Sequence, residues 1–254
     1  MKSIIIAAGY ATRLGELTRN FPKPLLQIGR STILGRIMDD IDQIPDITEH
    51  IIVSNHKFAP IFGDWLKQQH FQKPVRLVDD GTVTNETRLG AVRDLLLAIT
   101  GNADGLPEET SPCPEADDFL VLAADNLLDF SFAGFVEFAK QKGTSCIMCH
   151  HQPSIEKLQR TGVIEVDGDW RVLGMEEKPQ QPKSHWAVPP FYIYMQQDLP
   201  LICGCLQHGC GHDAPGNLAH YLASRTVLHA YEMPGTRFDI GSLDTYEEAK
   251  RIYG

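Results

Sequence analysis

The chain has no apolar run of about 18 residues, the length a membrane-spanning helix requires. Its one early apolar stretch, Ile4 to Ala8, is short and is followed at once by polar residues. That layout does not read as a secretory signal peptide, and the expectation is a cytoplasmic chain with no membrane partner. Positive charge is scarce: 23 Lys and Arg stand against 33 Asp and Glu, a formal net charge of −10. Such a balance argues against a nucleic-acid-binding face and against anionic membranes. A nucleotide is still admissible, because local Arg, Lys or a bound metal override the global field. Cysteine is limited to Cys113, Cys146, Cys149, Cys203, Cys205 and Cys210 in 254 residues, which reads as reduced thiols rather than a disulfide framework. Internal repeats and low-complexity tracts are absent, so one domain over residues 1–254 is the economical expectation.

Two common phosphate-binding loops are also missing. A Walker loop needs Gly-Lys-Ser/Thr, but Gly15 is followed by Glu16. A dinucleotide fingerprint needs glycines where Ala11 and Leu14 stand.

What is there is an ordinary globular composition, 43% hydrophobic and 22% charged, organised around its first twenty-five residues. Ile4 to Ala8 predicts a buried strand. It breaks at Gly9, which permits a sharp turn and close approach of a ligand. Ala7, Ala8 and Ala11 are small, and Thr12 and Arg13 bring donors to the turn. Lys23 sits between Pro22 and Pro24, which predicts a stiff, largely extended mounting. A strand, a small-residue turn, an arginine and a stiffly held lysine suit a polyphosphate; an ordinary glycine turn with a surface arginine is the plain alternative.

Further along, Ser31-Thr32 predicts a cap for a helix with Ile33, Ile37, Met38, Ile41 and Ile44 on one face. Ile51–Val53 and Val75–Val78 read as strands, with a helix over 57–69 between them. Thr84 to Ala91 leads into a helix through Ile99, and 101–118 reads as an exposed acidic, proline-bearing loop. Phe119 to Ala124 is a fully apolar strand with Asp125-Asn126 at its carboxyl end, where open α/β sheets bind ligands; Asp125 is thus placed for a metal, or for a turn or cap. A helix over 132–142, a strand over 144–150 and a hairpin turning at Asp167-Gly168-Asp169 follow. A strand reaching Tyr194, a helix ending near Ser224, a strand over 227–231 and a helix from Asp244 through Arg251 complete the series. The alternation predicts an α/β fold, a Rossmann-like three-layer α/β/α sandwich with a mostly parallel twisted sheet.

Four stretches, in order, carry a resemblance. They are Gly9-Tyr10-Ala11-Thr12-Arg13-Leu14 with Pro22-Lys23-Pro24, then Ala124-Asp125-Asn126, Glu177-Lys178-Pro179, and Phe238-Asp239-Ile240-Gly241-Ser242 ahead of a Tyr-x-x-Ala helix. Together they resemble the signatures of the sugar-1-phosphate nucleotidylyltransferases, over residues 4–250. Ala11 stands for the usual second glycine, Ala124 for a glycine, and Thr87 for the first glycine of a Gly-Thr-Ala-Gly-Ala lead-in that ends here as Gly90-Ala91. The resemblance implies that an NTP and a sugar 1-phosphate give an NDP-sugar and pyrophosphate, with Mg²⁺ held by Asp125 and Asp239. It implies catalytic roles for Arg13 and Lys23, and nucleotide binding by Ala7, Ala8, Gly9, Tyr10, Ala11, Thr12, Asn85, Arg88 and Gly90. Substrate binding falls to Asn126, Gly162, Glu177, Lys178 and Asn217, with a small β-rich sugar-side lid over about 162–194. The nucleotide-binding half would span about 1–130 and the sugar-phosphate half about 131–254. The base and the sugar stay open, a homo-oligomer stays open, and a cytidylyltransferase acting on a non-sugar phosphomonoester such as phosphocholine is an alternative.

A second alternative comes from another class. Cys203, Cys205, His208, Cys210 and His212 are zinc-capable residue types within one short stretch, as a zinc-stabilised binding module would need. Their spacing matches no usual zinc pair, and cysteine also packs well in helices.

Overall fold

The structure, a computed structural model, describes residues 1–106 and 113–254. The chain forms two compact units, each drawn from separated segments. The amino-terminal unit comprises Lys2–Arg88, Ala123–Ala133 and Pro234–Gly254; the central unit comprises Met1, Leu89–Leu122 and Gly134–Met233. Both combine helices and strands, as the α/β expectation requires.

In the amino-terminal unit the apolar run near the start is the strand Lys2–Ile6. It pairs in parallel with Glu49–Ser54, which pairs in parallel with Val75–Asp79. Near-continuous Ile and Val in the first two strands fit burial on both faces, and Ile4, Ile5, Ile51 and Ile52 are fully buried. The helix Ile33–Ile41 begins where expected, because the Thr32 side chain accepts from Gly35 N at 2.9 Å. Ile44 lies past its end in a turn, yet is buried with the rest.

Two expectations need correcting in this unit. The helix read over 57–69 is confined to Ala59–Leu66, with Pro60 in its first turn; proline is tolerated there because its missing N–H is not needed. Lys23 is not extended. Pro22 is, at φ −72° and ψ 132°, but Lys23–Leu25 closes a single 3-10 turn with Leu26 N donating to Lys23 O at 3.0 Å. Asp239 ends a three-residue strand, Arg237–Asp239, paired antiparallel with Asn126–Leu128. This ribbon is anchored by the carboxyl-terminal helix Leu243–Tyr253, started by a Ser242–Thr245 capping box. Ile240, Tyr246 and Ala249 pack with Leu14, Leu26, Ile28, Ile33 and Leu127. The same core therefore carries the turn after Leu14 and the ribbon, and truncating one such side chain costs about 2–5 kcal/mol.

In the central unit Ser145–His151 is the hub. It pairs antiparallel with Phe191–Tyr194 and Trp186–Val188, and parallel with Leu228–Glu232. Trp186–Val188 continues to Gly162–Val166, whose hairpin partner is Val172–Glu177. The hairpin turns at the expected residues: Asp167 Oδ1 accepts from the N–H groups of Asp169 and Arg171 at 2.9 and 3.0 Å. Helices cover Ala91–Thr100 and Gly216–Ala223. Of the loop read over 101–118, residues 107–112 lie outside the described residues. Gly101 (φ 74°) ends the preceding helix with a bond to Leu97 O. Among the described residues no helix is long and apolar enough to cross a membrane.

Candidate active site

The turn after Lys2–Ile6 is shaped by its backbone. Ala7 N donates to Val53 O at 2.8 Å, and the buried Asn55 donates from Nδ2 to Ala8 O at 2.9 Å. Ala11 takes a left-handed conformation, φ 48° and ψ 40°, and its carbonyl accepts from Leu14 N and from Thr18 Oγ1. The second glycine of the Gly-x-Gly pattern has a physical reason here, and alanine meets the same geometry at a steric cost. Thr12–Leu14 then forms a 3-10 turn that presents Thr12 and Arg13 to solvent.

Beside this turn lies a cavity of about 410 Å³, lined by Tyr10, Thr12, Gly15, Arg19, Lys57 and Asn85 among others. Tyr10 is fixed by a hydrogen bond between its hydroxyl and Thr82 Oγ1 at 3.1 Å. Asn85 sits in a short 3-10 turn, and its carbonyl accepts from Arg88 Nη1 at 3.2 Å.

The charged centre of the unit is Lys23. Its ammonium donates to Asp125 Oδ2 at 2.9 Å and lies 4.0 Å from Asp239 Oδ1. Only 9% of the Lys23 side chain is exposed, whereas Asp239 keeps 54%. Burial raises the Asp239 pKa above the ordinary carboxyl value, the like charge of Asp125 adds to it, and Lys23, Arg237 and Arg13 oppose it. The position is recessed: water reaches the oxygens, yet neighbouring atoms thin their hydration. Two carboxylates meeting in a recess suit a divalent cation. Among the described residues no group of three or more His, Cys, Asp or Glu could hold a metal. The donor set here is two carboxylates, which fits an ion such as Mg²⁺ that takes its other ligands from phosphate and water.

The central unit gathers a second set. Glu177, at the end of Val172–Glu177, reaches so close to Gly162 and Gly216 that a Cβ on Gly216 would collide with Glu177 Oε2. Burial raises its pKa, with Lys178 and His220 acting the other way. Lys178 is left-handed at φ 51°, donates its N–H to Thr161 O at 3.0 Å, and places Nζ 4.0 Å from Glu177 Oε1. Asn217 follows Gly216 at the start of the helix Gly216–Ala223. Gly90 belongs to this unit too, at φ 93°, where a side chain would strike His212 O and Asp213 Cα. The stretch Cys203–His212 gathers no metal-ligand group among the described residues, which removes the ligand set a zinc module needs. Cys146 and Cys149 are buried in the hub strand, and burial pushes both thiols up to about 12.

Sequence reasoning missed Arg19 and Lys57 at the cavity, Asn55 behind the turn, and Arg237. Asn55 and Lys57 stand just past the carboxyl end of Glu49–Ser54, a position that could have signalled them. Arg237 donates from Nη1 to Asn126 Oδ1 at 2.8 Å, a contact that no spacing in the chain encodes.

An α/β scaffold that sets an ammonium between two carboxylates, beside a glycine turn bearing an arginine, has the charges that suit phosphate groups and a divalent cation. The chain matches the Nucleotidyl transferase family model over residues 2–254 and belongs to that family. It is 24% identical over 253 residues to a glucose-1-phosphate adenylyltransferase of Fervidobacterium nodosum, covering 96% of this chain and 59% of that protein. It is also 24% identical over 253 residues to a UTP–glucose-1-phosphate uridylyltransferase of Synechocystis, covering 99% and 63%. The chain thus spans about three fifths of the length of these curated relatives. Its fold is similar to that of a UDP-glucose pyrophosphorylase solved in complex with UDP-glucose, with a TM-score of 0.77, 19% identity, and coverage of 99% of this chain and 97% of that one.

Proposed function

We propose that this chain, acting as one domain, transfers a nucleotidyl group from an NTP to a sugar 1-phosphate and releases pyrophosphate. The observation that carries this reading is the Lys23–Asp125–Asp239 cluster within a chain of the Nucleotidyl transferase family. Relatives 24% identical to it are glucose-1-phosphate adenylyl- and uridylyltransferases, which supports a hexose 1-phosphate as the acceptor class.

A phosphomonoester oxygen is already a competent nucleophile at neutral pH, so the protein has little acid–base work to do. The barrier is the approach of two anions and the charge that builds at the α-phosphorus, which positioning and electrostatics lower. Lys23 delivers a nearly buried ammonium to that charge, and low local polarity makes it worth more than in water. Arg13 presents a planar fork of donors suited to the β- and γ-phosphates. The backbone from Ala7 to Thr12 forms the turn, and Tyr10, Thr12 and Asn85 line the cavity assigned to the nucleoside. Asp125 and Asp239 would hold Mg²⁺, which when bound neutralises phosphate charge. Glu177 and Lys178 are assigned to sugar hydroxyls and sugar phosphate. A screen of four NTPs against sugar 1-phosphates and phosphocholine, read by pyrophosphate release, tests the reading. Release with a sugar 1-phosphate supports it, release with phosphocholine alone moves the acceptor to another class, and no release with any pair rejects it.

A further inference from the structure

We infer that Arg237 is a positioning residue that fixes the metal-facing carboxylate of Asp125 through the amide of Asn126. The inference deepens the proposed function and rests on it for the identity of the site. The connection is a continuous chain in the amino-terminal unit. Arg237 Nη1 donates to Asn126 Oδ1 at 2.8 Å, Asn126 Nδ2 donates to Asp125 Oδ1 at 2.8 Å, and Lys23 Nζ donates to Asp125 Oδ2 at 2.9 Å. Asn126 is 1% exposed, so water does not compete for its amide.

The chemistry gives the chain a direction. An asparagine amide is nearly symmetric in shape but not in charge: one end accepts and the other donates. A guanidinium has donors only. Facing Arg237, Asn126 must present its oxygen, and its NH₂ must then face Asp125. Flipped, the amide would set two donors against each other at Arg237 and oxygen against oxygen at Asp125. Arg237 thus selects the amide orientation, and the amide holds one oxygen of Asp125 while Lys23 holds the other. Each oxygen is committed to one protein donor, and its second lone pair points in a fixed direction for a cation.

The fold supplies the geometry through the ribbon. Asn126–Leu128 and Arg237–Asp239 pair antiparallel with Asp239 opposite Asn126 and Arg237 opposite Leu128. Residues 237 and 239 share one face of their strand, so the arginine that orients Asn126 lies beside the second carboxylate. It also acts on Asp239 by charge, working against the rise that burial and Asp125 impose. One short ribbon therefore holds Asp239 and the arginine, with Asp125 directly before its first residue.

Mn²⁺ binding to the full chain without nucleotide, followed by the electron paramagnetic resonance of the free ion, tests the inference without relying on turnover. Groups that orient metal ligands typically contribute about 10–100-fold to affinity. Arg237→Met should weaken Mn²⁺ binding by about that factor, and Arg237→Lys, which keeps a donor, should recover most of it. Asn126→Leu should weaken binding similarly, and the double variant should lose no more than either single one, because both act along one chain. An unchanged Mn²⁺ affinity in a folded Arg237→Met, or losses that multiply in the double variant, would overturn the inference. Should Arg237→Met fail to fold, Asn126→Leu decides alone: unchanged Mn²⁺ affinity rejects the chain. If the affinities move as expected while no NTP and sugar 1-phosphate pair releases pyrophosphate, the positioning chain stands and the reaction assigned to the site falls.

Discussion

Each unit pairs a lysine with acidic groups, and the two arrangements differ in kind. In the amino-terminal unit a nearly buried Lys23 lies between Asp125 and Asp239, at 2.9 and 4.0 Å. In the central unit an exposed Lys178 stands 4.0 Å from the single, largely buried Glu177. The first is a cluster of fixed charges with an ammonium aimed into it, which suits phosphate and metal. The second is one carboxyl group pressed against Gly162 and Gly216, with its pKa raised by burial, which suits hydrogen bonds from neutral hydroxyls. On the proposed reading, charge chemistry and shape recognition fall to different residues and can be broken separately.

The largest separation should come from Lys23. Removing one preorganised donor to a developing oxyanion typically costs about 10²–10³ in kcat, and Lys23→Ala should lose that much in single-turnover assays with Mg²⁺ saturating. NTP binding should change less, because Arg13 and the aspartates are retained. Lys23→Arg should recover little, since a planar guanidinium does not replace a compact ammonium held in a tight turn. A loss below about threefold, well under the donor-loss range, would remove Lys23 from the chemistry.

On the other side of the comparison, Glu177→Gln should act mainly on the sugar phosphate. A hydrogen bond to a charged group contributes about 1.5–3 kcal/mol, so KM for the sugar phosphate should rise by about 10–100-fold with a smaller change in kcat. Gly216→Ala tests the same contact from the opposite wall, because its methyl would displace the Glu177 carboxylate. Equal losses in kcat and in binding of both substrates would erase the division between the two sets.

These two sets were unequally legible in the sequence. Elements with a continuous apolar run or strong turn chemistry were legible: Ile51–Val53 marks the strand Glu49–Ser54, Phe119–Ala124 marks Phe119–Ala123, and Asp167-Gly168-Asp169 marks its hairpin. The ribbon was not. Asn126–Leu128 and Arg237–Asp239 are three residues each, too short for any period to register, and they come from opposite ends of the chain. Trp186–Val188, also three residues, was missed for the same reason. The nearness of Asp125 to Asp239 entered only through resemblance, and the Arg237–Asn126 contact not at all. Lys23 shows a different failure: proline on both sides argues locally for an extended residue, but packing of Leu25 and Leu26 into the core closes a turn there.

A third test compares the buried polar networks. In the amino-terminal unit His50 bonds to Ser3 Oγ at 2.7 Å and to Asp42 Oδ1 at 3.2 Å, with all three buried. In the central unit Asp198 accepts from Ser145 Oγ at 2.5 Å and Thr226 Oγ1 at 2.9 Å, without a histidine. Burial lowers the His50 pKa below its ordinary 6.5 despite Asp42. Its contribution to stability is therefore complete above 6.5 and fades as pH falls through that value toward the folded one. Burial alone would raise Asp42, but donation from Gln72, His50 and Lys73 outweighs it and lowers the pKa below 3.8. That contribution is present above 3.8 and is lost at lower pH still. Hydrogen exchange should show amides of Lys2–Ile6 and Glu49–Ser54 losing protection between pH 7.5 and 5.5 before those of Ser145–His151. Ser3→Ala, which leaves a buried ring nitrogen unpaired, should cost about 1–3 kcal/mol. Uniform loss of protection in both units would refute the contrast.

The smallest effect expected is at Ala11, and its smallness is informative. Ala11 and Lys178 are the left-handed, non-glycine residues of the two sets, at φ 48° and 51°. The left-handed conformation costs an L-residue about 1–2 kcal/mol, so Ala11→Gly should gain that. Against it stand the greater freedom of glycine in the unfolded chain, about 0.4–1 kcal/mol, and the loss of a methyl packed against the core cluster that includes Leu14 and Ile240. A fully buried methyl contributes about 0.8 kcal/mol, and Ala11 is only half-buried. The terms nearly cancel, and denaturant titration should show Ala11→Gly within about 1 kcal/mol of the parent with kcat unchanged. Ala11→Val should behave differently, because a β-branched residue at positive φ is a true outlier. It should lose both stability and nucleotide binding as the turn from Gly9 to Arg13 is forced open. If Val were as silent as Gly, the backbone at Ala11 would not be what shapes the phosphate turn.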